Sequence, residues 1–160
     1  FENSIDLILN SAMVNIIGFR TSKALAYYFE YMLNEIYSKV RQLSYDSEFI
    51  YDRLLNVGKD EVVVIFALSP FSKVTLEVAE HCHKIGIPII LITDHVSCPI
   101  SSYAKNILVI KSSEIQYSIV PAIALVEAFV IEIGQRTSDQ SVRRLRTLNK
   151  TLMDKNVTSS

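Results

Sequence analysis

The sequence predicts an α/β protein, a three-layer α/β/α sandwich around a five-stranded parallel sheet in the flavodoxin-like order 2-1-3-4-5. Three observations predict it. Residues 61–67, apolar from Val62 on, and 87–93 are continuous runs rich in β-branched side chains, the pattern of parallel strands covered on both faces. Helical periods separate the apolar runs along the whole chain. Glycine and proline number only four each in 160 residues, too few for a long flexible linker, so a single domain is expected.

The elements follow in order. Leu7, Ile8 and Leu9 belong to an opening helix that Asn3 or Ser4 could cap. Residues 13–17 read as a short buried strand ending at Gly18. Residues 22–36 carry Leu25, Phe29, Met32, Leu33 and Ile36 on one helical stripe. Residues 38–43 are the second strand. Residues 46–57 read as a helix with Phe49, Ile50, Leu54 and Val57 facing inward. After the third strand, 61–67, a helix over 72–85 stops at Gly86. The fourth and fifth strands are 87–93 and 106–111. A long helix over 118–135 follows, and Ser138 or Asp139 opens a last one.

Composition excludes several functions. Hydrophobic residues make up 49% and charged residues 21%, with a formal net charge of −1. A domain that grips nucleic acid alone carries a basic excess, because phosphate neutralisation supplies most of its affinity. DNA contact would therefore have to come from another part of the polypeptide, and the start at Phe1 rather than Met suggests excision from something longer. Cys82 and Cys98 have no metal spacing and are read as reduced thiols of a cytoplasmic protein. Residues 115–134 are apolar but contain Pro121, Glu127 and Glu132. Carboxylates at bilayer depth are costly, so this stretch is read as a buried or interface helix and no membrane contact is expected.

Ligands of open parallel sheets bind beyond the carboxyl ends of the strands, where the strand order reverses. Here that point lies between the first and third strands. Gly18-Phe19-Arg20-Thr21-Ser22 follows the first, and Ser69-Pro70-Phe71-Ser72-Lys73 follows the third. Both are hydroxyl-bearing turns that enter helices. Helix N-termini expose unsatisfied N–H groups and the positive end of the helix dipole, and added hydroxyls make an anion cradle suited to phosphate. Such turns also arise as simple caps, and Ser69-Pro70 fits an N-cap and N1 pair with no ligand. Neither a Walker loop nor a GxGxxG fingerprint is present.

These turns resemble those of the SIS (sugar isomerase) domain, whose first loop reads roughly Gly-x-Gly-x-Ser and whose third-strand loop reads roughly Ser-x-Ser-Gly-x-Thr. Gly18 and Ser22 match the first pattern, and Ser69 and Ser72 match the second. Thr93-Asp94 with Ser97-Cys98-Pro99-Ile100 resembles the family's loop after the fourth strand, and Asp60-Glu61-Val62-Val63 its approach to the third. Three positions depart. Arg20 stands at the second glycine, Ala67 at the first serine of the other loop, and Pro70 at its glycine. One expected phosphate donor is thus missing, and a cation able to pair with phosphate is added.

The resemblance implies a phosphorylated sugar as ligand, held by Ser22, Ser69, Ser72 and Thr21 with Arg20, and a homodimer or tetramer. SIS domains occur in aldose–ketose isomerases and in bacterial regulators of the RpiR type, where a helix-turn-helix domain precedes them and a sugar phosphate is the effector. Isomerisation needs a tuned general base. His95 follows the fourth strand beside Asp94, while His81 and His83 lie two apart on a helix and face different ways. Glu127 and Glu132 sit in no catalytic motif. The reading favoured is therefore a sugar-phosphate sensor of the RpiR type, with no catalytic residue, metal or cofactor. A stand-alone isomerase and a ligand-free dimerisation module are the alternatives. Arg136, Arg143, Arg144, Arg146 and Lys150 are read as the solvated face of the last helix.

Overall fold

The computed structural model describes residues 1–111 and 118–158. Five parallel strands pair in the order β2-β1-β3-β4-β5. The strands are β1 (Val14–Gly18), β2 (Val40–Gln42), β3 (Val62–Ala67), β4 (Ile89–Thr93) and β5 (Asn106–Val109). The helices are α1 (Glu2–Leu9), α2 (Ser22–Ile36), α3 (Ile50–Leu54), α4 (Lys73–Lys84), α5 (Val120–Arg136) and α6 (Ser138–Asp154), with a 3-10 turn at Pro99–Tyr103. β1 and β3 run in full register, Val14 opposite Val62 and Gly18 opposite Phe66. Their carboxyl ends therefore finish side by side.

Alternate residues of the strands point to opposite faces, and here both faces are covered. Val14, Ile16, Val62, Val64, Phe66, Ile90 and Ile92 face a core with α1, α2 and α5. Ile17, Val63, Ile65, Ala67, Ile89 and Leu91 face a second core with α3, α4 and the 3-10 turn. That is why strands β1, β3 and β4 lack polar alternation. In the first core Phe29 of α2 meets Phe66 edge-on at 6.1 Å and leans on Phe129 of α5 at 5.6 Å. This cluster fixes α2, and with it the turn that α2 follows, against the sheet.

The layers, strand order and most boundaries match the sequence expectation. Several local readings do not. No side chain caps α1, because the helix already begins at Glu2 and Asn3 and Ser4 lie within it. The helix expected over 46–57 shrinks to Ile50–Leu54. Asp46 accepts the Glu48 N–H at 2.9 Å, a side-chain turn that competes with helix, and Phe49 is 54% exposed rather than inward. Ser69-Pro70 is not a cap pair. Its peptide bond is cis, and Ser72 takes the cap position of α4. α4 ends where Gly86, at φ 80°, turns the chain in the left-handed region that glycine enters freely.

Arg136 belongs to the end of α5, not to the last helix. It pairs with Glu2, with Asp6 at 2.9 Å and with Glu132 at 2.6 Å. Arg144 donates to the backbone oxygen and side-chain oxygen of Asn34 on α2. These two cations tie helices together instead of lining a free basic face. The apolar stretch that begins at residue 115 is α5 from Val120 onward, and residues 115–117 lie outside those described. No helix among the described residues is long and apolar enough to cross a membrane.

Candidate functional site: a hydroxyl-lined concavity at the sheet crossover

The turn after β1 and the turn after β3 meet around one concavity of about 40 Å³. Arg20, Thr21, Ser22, Ser69 and Ser72 all line it, together with Ala67, Pro70 and Thr75. The concavity is small and polar enough to take a few water-sized groups. A sugar ring would have to remain on the open side.

The first turn owes its shape to Gly18 and Arg20. A Cβ on Gly18 would stand 2.3 Å from the Ser22 carbonyl oxygen, so only glycine lets α2 start this close to β1. Ser44 Oγ accepts the Gly18 N–H at 2.9 Å and anchors the strand end. Arg20 sits at φ 53°, in the left-handed region that costs a side-chain-bearing residue about 1 kcal/mol. The strain sits on the exposed rim of the concavity, a common place for strain to serve function.

The two helix starts differ. At α2 the turn's own carbonyls take the first amides: Ser22 N–H to Phe19, Lys23 N–H to Arg20 and Ala24 N–H to Thr21, at 3.1–3.3 Å. At α4 Ser72 occupies the cap position with extended backbone, φ −78° and ψ 134°, but makes no capping hydrogen bond. Among the described residues nothing takes the N–H groups of Lys73, Val74 and Thr75. α4 thus carries the open donors and the unscreened dipole end. Within α4 the cations Lys73 and Lys84 pair with Glu77 and Glu80 at the surface.

The hydroxyls also fall into two groups. Ser22 is 4% exposed and Thr75 3% exposed, and no described residue hydrogen-bonds either side-chain oxygen. Neither oxygen is among the buried unpartnered atoms, of which Gln42 Oε1 is the one described, and both residues line the same concavity. Ser69 is different, because Asp94 at the end of β4 already holds it. The Ser69 N–H is shared between the two Asp94 oxygens at 3.0 and 3.1 Å, and Ser69 Oγ donates to Oδ1 at 3.2 Å. The Ser69 hydroxyl can rotate toward a ligand while the amide stays with Asp94.

The other candidates lie elsewhere. His95 is exposed, with Nδ1 3.0 Å from Ser97 Oγ, and does not line the concavity. His81 packs edge-on against Tyr51 and His83 leans on Tyr103. Glu127 accepts the Tyr28 hydroxyl at 2.8 Å, and Glu132 holds Arg136. Cys82 is buried in the second core, where desolvation pushes its thiol up to about 12 and leaves it protonated and unreactive. No group of three metal-ligating side chains occurs among the described residues. Sequence reasoning missed Thr75 and the Asp94 clamp. Thr75 has a local signal, three residues after Ser72 and so on the first turn of the same helix. The clamp spans 25 residues and carries no local signal.

Fold and site together define the class: a doubly covered parallel sheet whose crossover point holds a small hydroxyl-lined concavity at a helix start. The chain belongs to the SIS-domain family, whose model matches residues 7–132. No curated protein matches it in sequence. Its fold resembles the sugar isomerase domain of the RpiR transcription factor from Sphaerobacter thermophilus, at TM-score 0.85 and 20% identity over 93% of this chain and 84% of that one. It also resembles the Vibrio vulnificus NanR protein complexed with ManNAc-6P, at TM-score 0.83 and 18% identity over 99% of this chain and 61% of NanR. A Methanococcus jannaschii protein with an inferred 3-hexulose-6-phosphate isomerase function shares the fold at TM-score 0.72 and 17% identity, over 91% of this chain and 81% of that one. Regulators and isomerases thus both use this fold.

Proposed function

We propose that the chain is the sugar-phosphate-sensing domain of a transcriptional regulator of the RpiR type. The observation that carries the ligand half is the uncapped first turn of α4 beside a small concavity lined by Ser22, Ser69 and Ser72. In this reading α4 amides, Ser22 and Ser72 hold the phosphoryl oxygens, and Thr21 and the rotated Ser69 hydroxyl border them. Arg20 closes the rim and supplies the positive charge that a dianion needs. The regulator half is supported by the likeness to the RpiR and NanR domains, the second of them bound to a sugar phosphate. Two copies of the chain pair through their helices, and DNA is reached through another part of the polypeptide. Ligand regulates only by binding two arrangements of the pair unequally.

Isothermal titration with hexose and amino-sugar phosphates, ManNAc-6P included, tests this reading. At least one should bind saturably, and Ser22→Ala or Ser72→Ala should weaken it about tenfold or more, as expected for a hydrogen bond to a charged group. Heat from none of them would leave a dimerisation module. Conversion of any of them to its aldose or ketose isomer would make the protein an isomerase instead.

A further inference from the structure

The first turn of α4 carries a second hydroxyl that the sequence pattern did not single out. Thr75 is 3% exposed and lines the concavity with Ser22 and Ser72. Threonines inside helices usually bond back to the carbonyl four residues earlier. The chain does this elsewhere: Thr137 donates to Ile133 at 2.7 Å, Thr147 to Arg143 at 3.0 Å and Thr151 to Thr147 at 2.9 Å. Thr75 is the third residue of α4, so the residue four earlier, Phe71, lies ahead of the cap Ser72 and outside the helix; no helical carbonyl is offered to this hydroxyl, and the space that the residue borders is the concavity. Among the described residues the buried side-chain atom without a partner is Gln42 Oε1, not Thr75 Oγ1, so the Thr75 hydroxyl is not sealed in the core. Ala67 also lines the concavity and has no hydroxyl to offer.

We infer that Thr75 is a ligand-contacting residue, its hydroxyl donating to an oxygen of the bound phosphoryl group from the floor of the concavity. The inference rests on the anion site proposed above and adds a donor to it. It also accounts for how the site works without a hydroxyl at position 67: the donor comes from the helix instead of the strand end. Thr75 Oγ1 and the free Thr75 N–H lie on the same turn, so one residue offers two donors to one anion.

Inorganic phosphate titrated into the chain, followed by NMR amide shifts, separates the possibilities. The unaltered chain should show saturable shifts at Lys73, Val74 and Thr75. Thr75→Val keeps the shape and removes the hydroxyl, and should weaken phosphate about tenfold or more. Thr75→Ser keeps the hydroxyl and should stay within about threefold. Thr75→Ala serves as a second hydroxyl-free variant should valine disturb the fold. Unchanged affinity in Thr75→Val or Thr75→Ala overturns the Thr75 assignment and leaves the anion site standing. No saturable shift in the unaltered chain overturns the site itself, and Thr75 with it.

Discussion

Arg20 shows how one residue can be unfavourable to the fold and useful to the surface. Its backbone lies at φ 53°, where a side chain costs about 1 kcal/mol and glycine costs little. The residue is exposed and lines the concavity. Arg20→Gly should therefore leave the melting temperature unchanged or raise it, while weakening phosphate binding. Calorimetric melting and a phosphate titration on the same sample read both effects. A lower melting temperature would show that the arginine stabilises the turn, contrary to the strain argument. Gly18 is the opposite case. Its missing Cβ is what allows the Ser22 carbonyl to approach, so the turn depends on an absence of atoms.

At the level of elements, the clamp from Asp94 to Ser69 joins the end of β4 to the turn after β3. Asp94 does not line the concavity, so under the proposed function it would act on the ligand through Ser69 as a positioning residue. Asp94→Ala should weaken phosphate binding several-fold and speed amide exchange at Ser69. Asp94→Asn keeps an acceptor oxygen for the Ser69 N–H and should restore protection of that amide. Equal exchange in all three proteins would remove the clamp from the account. The strands were legible because continuous β-branched runs have few other readings, and the two turns because strand order alone locates the crossover. What stayed hidden depends on distance in sequence. Asp94 finds Ser69 across 25 residues, and the Asp46 side-chain turn shortens α3. Arg136 reads as one more surface cation until α1 folds against it.

For the whole molecule the question is what covers the helical face. α2 and α5 both present large apolar side chains to solvent: Tyr31 is 56% exposed, Ile131 59% and Val120 66%. Tyr27 and Tyr31 stack on each other at 6.4 Å, which removes little of either from water. Large apolar side chains left in water are candidates for an interface, and a second copy is the partner the proposed function requires. Sedimentation equilibrium at micromolar concentration should give a dimer, and Ile131→Glu should shift it toward monomer without unfolding, because Ile131 faces outward. A monomer in the unaltered chain would remove self-association from the proposed mechanism.

The junction at Arg136 has a mechanical meaning. One guanidinium grips two carboxylates of α1 and one of α5, and the Phe1 ring rests on Phe129 at 4.9 Å. The front of the chain is thus riveted to the same helix whose outer side carries Ile131. Any polypeptide joined ahead of Phe1 would inherit that attachment, so a twist of α5 would be delivered to it as rotation instead of being lost in a slack tether. Because the rivet is ionic and partly wet, concentrated salt would loosen this drive train before it disturbed the sheet.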